Sequence, residues 1–199
     1  KHHANAAKNP NAQFRNAIPE EKISQSPSIA DPLCLLDCSP ISDGASAVIL
    51  SSTNESPIKI KASQVSTDTL SIAERPSITS FPATRDAMNR ALDEAEITRD
   101  DIAHLETHDC FSIAAVINLE DLGFAAPGRG IRLYESDSKP SVNASGGLKA
   151  CGHPVGATGI KQIVDLIKRL KSSNEKYALA HNFGGAGATC CIHILENVS

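Results

Sequence analysis

Residues 143–159 read NASGGLKACGHPVGATG and run directly into Ile160, Ile163, Val164, Ile167 and Leu170. Five glycines fall between Gly146 and Gly159, and they permit backbone conformations and close approaches that a side chain would block. The apolar positions that follow recur at helical spacing, and Lys168, Arg169 and Lys171 sit where cations suit a helix C-terminus. A glycine-rich loop feeding a helix start brings free N–H groups and the positive dipole end together, which favours an anion or a thiolate nearby. His153 lies inside this loop, before Pro154, whose ring fixes the chain direction. A histidine on such a turn is suited to proton transfer at neutral pH. The same spacing fits equally a tight loop whose histidine only makes hydrogen bonds.

Two more segments stand out on either side. Glu106-Thr107-His108-Asp109-Cys110-Phe111-Ser112 follows an expected strand and precedes an expected helix, the place where α/β sheets usually hold ligands. His108 and Cys110 are two apart, so an extended stretch points both the same way, and a thiol beside an imidazole can be activated. Taken alone, a buried free cysteine is the commoner outcome. The segment His181-Asn182-Phe183-Gly184-Gly185-Ala186-Gly187-Ala188 leads into a strand and not a helix, which is a poor fit to a nucleotide loop. It reads as a hairpin turn, or as a turn whose bare N–H groups face a reacting carbonyl oxygen.

The surrounding pattern supplies the layers. Ile58 and Ile60 alternate with Lys59 and Lys61 as in a half-buried strand. Ala87, Met88, Ala91, Leu92 and Ala95 give a narrow apolar stripe on a helix over 83–96. A strand over 102–106, a buried, nearly all-apolar helix over 113–122, and two closing strands over 177–181 and 189–195 follow. On the last, Cys190, Ile192 and Ile194 share one face. This alternation predicts an α/β fold with helices on both faces of a mixed sheet. Residues 1–32 are polar, with Pro10, Pro19, Pro27 and Pro32, and read as loop with at most a short helix. The runs Leu33–Leu36 and Ala45–Leu50 read as the last strands of an earlier sheet. The division expected is residues 1–56 as the tail of one domain and 57–199 as a complete second one.

Composition excludes several classes. Hydrophobic residues make up 41% of the chain and charged ones 21%, as in an ordinary globular protein. A net charge of −4 leaves no basic footprint for nucleic acid, and no apolar run approaches the ~20 residues of a membrane span. The six cysteines lack metal-ligand spacing, so no metal is expected. A reducing, cytoplasmic compartment is the expectation. Lys1 opens the chain and Met88 is the one methionine, so an upstream portion is expected as well.

Together the motifs resemble the thiolase family. Asn143…Gly146-Gly147…Gly152-His153-Pro154…Gly156-Ala157…Gly159 is similar to the thiolase signature around its catalytic histidine. His108-Asp109-Cys110-Phe111 replaces the Asn-Glu-Ala-Phe of many thiolases, as in the sterol-carrier-protein type and its archaeal relatives. Lys8–Phe14 and Asp37–Gly44 resemble the same subgroup, and Ala180–Gly185 resembles archaeal acetoacetyl-coenzyme A thiolases. The resemblance implies a thiolase-like fold, with this chain holding the end of the N-terminal half and the whole C-terminal half. It implies coenzyme A thioesters as substrates and no further cofactor. His153 would deprotonate a nucleophilic cysteine that lies upstream, in a separate chain or a lost fragment. His108 would help bind the substrate oxygen, Cys110 would be the second acid/base, and the Gly184 N–H would form half of an oxyanion hole. Ser80, Phe81 and Pro82 would contact the pantetheine, with Asn143 and Gly152 also on the substrate side. Cys151 reads as packing. Ala186 departs from the family, which has a glycine there. Partners implied are the N-terminal half, a second copy in a homo-oligomer of the full enzyme, and hydroxymethylglutaryl-coenzyme A synthase. The rival readings are a thiolase-like scaffold or binding module without chemistry, and another condensing enzyme such as a ketoacyl synthase.

Overall fold

The computed structural model describes residues 1–135 and 139–199. Its first third is irregular: helices α1 (His2–Ala6) and α2 (Glu20–Ser24), then strands β1 (Ser28–Ala30) and β2 (Leu33–Cys34) paired as a small antiparallel ribbon. The main sheet begins with β3 (Ile58–Thr67). It continues through α3 (Pro82–Ala95), β4 (Ile102–Glu106), α4 (Ser112–Asp121), α5 (Arg132–Glu135), β5 (Ser141–Val142), α6 (Gly147–Cys151), α7 (Thr158–Ser172), β6 (Tyr177–Gly184) and β7 (Thr189–Asn197). The five strands lie in the order β3-β7-β6-β4-β5. Parallel pairing joins β6, β4 and β5, while β7 runs antiparallel to both β6 and β3.

Period-two alternation divides the core. On one face Leu179, Cys190, Ile192 and Ile194 pack with the Ala87, Met88, Ala91 and Leu92 stripe of α3. On the other, Ala178, Ala180 and Leu195 pack with Ile163, Leu166 and Leu170 of α7. Burying such side chains contributes about 1.5–3 kcal/mol for each large one. Pro82 begins α3 where its missing N–H costs nothing, and Glu96 ends it in a left-handed turn.

Several sequence expectations are corrected here. Ala45–Leu50 forms no strand, and Ile49 and Leu50 are exposed, because no strand among the described residues lies beside them to pair with. Leu33–Leu36 contributes only two residues of strand, and to the small ribbon instead of a larger sheet. Helix α4 is buried on one side only: Ala114, Ala115, Asn118 and Leu119 are inside, whereas Ile113 is half exposed at the mouth of a cavity. The opening segment, expected to be loose, docks α1 on α6, where Ala6, Ala12, Ala150 and Cys151 form a small core. Cys151 is packing, as its neighbourhood of alanines requires.

Candidate functional site

Strand β4 ends at Glu106 beside β6, and the chain leaves it as Thr107-His108-Asp109-Cys110. Asn143 ties this exit down, accepting from the Thr107 N–H at 2.7 Å and donating to the Thr107 carbonyl at 3.1 Å. Asn118 on α4 donates to the His108 carbonyl at 2.7 Å. Asp109 points inward and is fully buried. Its carboxylate accepts from Leu148 N at 2.7 Å and Lys149 N at 3.3 Å, and pairs with His2 Nδ1 at 2.9 Å. Burial alone would raise its pKa, but His2 and the two backbone donors outweigh that and hold it below the ordinary value. Gly147 is obligatory here: at φ +61, a Cβ would lie 2.2 Å from the Asp109 Oδ2. Asp109 thus fastens three segments, and with its side chain turned in, its neighbours His108 and Cys110 reach the opposite side.

There they meet His153. The imidazoles of His108 and His153 stand edge to face with centroids 5.0 Å apart, and His108 also lies 4.4 Å from the Phe183 ring. A cavity of about 930 Å³ contains both histidines, Cys110, Gly184, Ser80 and Phe81. Asn182, Phe183, Phe111, Ile113 and Val155 complete much of its wall. Of the other sequence candidates, Pro82 is the first residue of α3 and is not on this wall. Asn143 is fully buried and spent on the Thr107 backbone. Gly152 faces a separate depression beside Ser42 and Gln13. The Ser80 hydroxyl donates to Asp121 at 2.7 Å, as does the Phe81 N–H at 2.5 Å, so Asp121 anchors the entry to α3.

Electrostatics assigns protonation states. Burial, then the neighbouring His153, pushes His108 down to about 4, so it is neutral at pH 7. His153 is also lowered, by burial. Its Nδ1 lies 2.7 Å from the Thr158 hydroxyl, which itself donates to the Pro154 carbonyl at 3.0 Å. A hydroxyl has one proton, so Nδ1–H is the donor to Thr158 and the lone pair of the neutral ring is on Nε2. Burial, then the Asp109 charge, pushes the Cys110 thiol up to about 11, which keeps it protonated at rest. The arrangement therefore sets a neutral base, a neutral hydrogen-bonding imidazole and a reluctant acid against one apolar space.

Four contributors were not singled out from the sequence, although Thr158 and His181 lie inside quoted motifs. Thr158 fixes the His153 tautomer. His181, fully buried and pushed down to about 3 by burial, accepts from His108 N at 3.4 Å and bridges Thr107 and Thr84 at 2.9 and 3.1 Å. His2 pairs with Asp109 from the opening segment, and Arg75 lies on the cavity wall. Membership of the two glycine-rich motifs was the signal the sequence offered for Thr158 and His181; His2 and Arg75 had none. Among the described residues, no three His, Cys, Asp or Glu side chains converge as a metal would need. No helix is long and apolar enough to cross a membrane.

Comparison with known proteins identifies the family. Residues 64–197 match the family described as Thiolase C-terminal domain-like. The chain is 42% identical to the acetyl-CoA acetyltransferase of Methanothermobacter thermautotrophicus, over 98% of its own length and 55% of the relative's. It is 33% identical to human sterol carrier protein 2, over 94% of this chain and 39% of that protein. It thus spans about half the length of the archaeal relative. Among solved structures, the Ltp2-ChsH2(DUF35) aldolase superposes with a TM-score of 0.81 at 20% identity, covering 99% of this chain and 56% of that one, a likeness of fold.

Proposed function

The chain belongs to the thiolase family, and from that premise we propose that it is the C-terminal half of an acetyl-CoA C-acyltransferase. The reaction is the Claisen condensation of two acetyl-CoA molecules to acetoacetyl-CoA, or its reversal by thiolysis. The acyl-accepting cysteine comes from an upstream half, which also offers the surface for a homo-oligomer of the full enzyme. The cytoplasm is the compartment that suits six free thiols.

The observation that carries this reading is the meeting of His108, His153 and Cys110 in one cavity. Their protonation states order the steps. The lone pair on His153 Nε2 takes the proton of the incoming cysteine thiol, and the thiolate attacks the first thioester carbonyl. Collapse expels coenzyme A thiolate, which takes its proton from Cys110. A thiol held near 11 becomes a strong base once it has given that proton away. Cys110 thiolate then removes the α-proton of the second acetyl-CoA, while His108 donates to the enolate oxygen. The carbanion attacks the acyl-cysteine, and the departing cysteine thiolate recovers its proton from His153. Gly184 N–H is the donor to the tetrahedral oxygen, an interaction typically worth about 3–4 kcal/mol in the transition state. The cycle balances: two acetyl-CoA give acetoacetyl-CoA and free coenzyme A thiol, with no net gain or loss of protons.

The test is to combine this chain with an upstream thiolase half carrying the nucleophilic cysteine and to follow acetoacetyl-CoA cleavage. Activity is expected in the mixture and none in either half. Cleavage by this chain alone, or a folded complex that is inert, overturns the proposal, the latter in favour of a scaffold. Cys110→Ser in the active mixture is expected to cost about 10²–10⁴-fold in kcat, the usual worth of a positioned acid/base.

A further inference from the structure

Arg75 is 9% exposed and lies in the stretch between β3 and α3. Among the described residues no carboxylate pairs with it. Its guanidinium is spent entirely on backbone carbonyls. Nε donates to Thr69 O at 2.8 Å and Nη2 to Leu70 O at 3.5 Å, both on its own stretch. Nη1 donates to Ala186 O at 2.7 Å and Nη2 to Gly185 O at 3.4 Å, on the turn between β6 and β7. A buried cation is costly unless every donor is satisfied, and packing alone would be served better by a leucine or methionine. A planar fork that reaches carbonyls on two segments at once is what distinguishes arginine from lysine.

The turn needs such a hold. Gly184, Gly185 and Gly187 leave its backbone free to rotate; within it Gly187 N donates to Gly184 O and Ala188 N to Gly185 O, each at 3.1 Å. Other contacts bind the same two segments: Asp68 N donates to Ala188 O at 2.7 Å, and a Cβ on Gly187 would lie 2.4 Å from the Phe81 ring. Residues 68–81 and the turn thus form one wall of the cavity, with Arg75 joining its two parts. The Gly185 and Ala186 carbonyls belong to the Gly185–Ala186 and Ala186–Gly187 peptide planes, so the clamp fixes the chain just beyond the end of β6, past the plane that carries the Gly184 N–H.

We propose that Arg75 is a positioning residue: its guanidinium, spread over the Gly185 and Ala186 carbonyls, holds the turn that β6 enters after Gly184 and so restrains the strand end that carries the Gly184 N–H. Its consequence for catalysis rests on the role given to Gly184 above, whereas the clamp itself does not.

The experiment uses Arg75→Met and Arg75→Lys with two readouts. In the chain alone, amide hydrogen exchange of Gly187 and Ala188 is expected to quicken about tenfold or more in Arg75→Met, with β4 and β6 amides unchanged. Arg75→Lys, which keeps the charge and loses the fork, is expected to restore less than half of that protection. In the two-half enzyme, kcat is expected to fall about tenfold to a hundredfold with KM changed less than about threefold, since a displaced donor costs less than a deleted one. Unchanged exchange at the turn, or faster exchange spread over the whole sheet, overturns the proposal, as does full rescue by lysine. Should Arg75→Met fail to fold, Arg75→Lys carries both readouts. If the wild-type two-half enzyme is inactive, the reaction assigned above fails while the exchange measurement still decides the clamp.

Discussion

Two glycine-rich segments border the cavity, and they are immobilised from opposite directions. The loop before α7 is gripped from inside the protein. Asp109 holds its Leu148 and Lys149 amides, Glu106 holds Ser145 N and Oγ at 3.0 and 2.7 Å, and Asn5 and Asn9 on the opening segment donate to its carbonyls. The turn between β6 and β7 is exposed at Gly184, Gly185 and Ala186 and is gripped by one cation from its flank. Similar composition therefore conceals different physics. The inner loop is welded to the core and shares its stability, whereas the outer turn is a local structure that can loosen without unfolding anything else.

The largest effect expected from this contrast is at Asp109. Asp109→Ala strips two buried amides and the His2 ring of their shared acceptor, and breaking a buried pair in this way typically costs about 3–5 kcal/mol. Urea unfolding should show a large drop in midpoint at unchanged slope, far beyond that of Arg75→Met. A loss under about 1 kcal/mol would mean that the inner loop is held as lightly as the turn.

A somewhat smaller effect concerns pH. His108 and His181 stay neutral in the fold, at about 4 and about 3, but take up protons near 6.5 when unfolded. The unfolded state binds more protons below 6.5, so stability is complete above that pH and is lost as pH falls toward the folded values. Each histidine contributes about 1.4 kcal/mol per pH unit in that window. Asp109, with its pKa depressed below 3.8, adds a loss of the same sign only when pH falls further, below about 4. Unfolding free energies at pH 7.5, 6 and 5 should decline with a slope from these two rings that approaches two protons by pH 5. His181→Gln, which keeps two hydrogen-bonding atoms and cannot charge, should remove about one of them. A flat profile would contradict the burial of both rings.

The difference between the two segments also governs what the sequence could reveal. Strands and helices of the sheet follow from local periodicity, as at Cys190, Ile192 and Ile194 or along α3, because each residue's burial repeats with its own element's geometry. Glycine, proline and short spacing drew attention to His153 and the His108–Cys110 pair but left each open between chemistry and packing; the resemblance to the thiolase family chose the reading. Arg75 and His2 drew no attention, since each acts on carbonyls or a carboxylate more than 100 positions away with nothing local to announce it. Ala45–Leu50 forms no strand for a related reason: an apolar run pairs only where a partner edge exists, and none lies beside it among the described residues.

The smallest effect sharpens the comparison most finely. Ala186 occupies a left-handed conformation, φ +52, at the position where the family pattern has glycine. For an alanine that conformation costs about 1–2 kcal/mol, here offset by the 2.7 Å bond that its carbonyl accepts from Arg75. Ala186→Gly removes the strain but adds about 0.5–1 kcal/mol of unfolded-chain entropy. The net expectation is a gain of roughly 0.5–1 kcal/mol, a rise in Tm of about 1–4 °C for a chain of this size. On the inner loop Ala144 is not in the left-handed region, so Ala144→Gly has no strain to release and should lose about 0.5–1 kcal/mol. Opposite signs of ΔΔG at two alanines in glycine-rich neighbourhoods would show that the outer turn carries strain the inner loop does not, while equal losses at both would leave Arg75 holding a turn that was never strained.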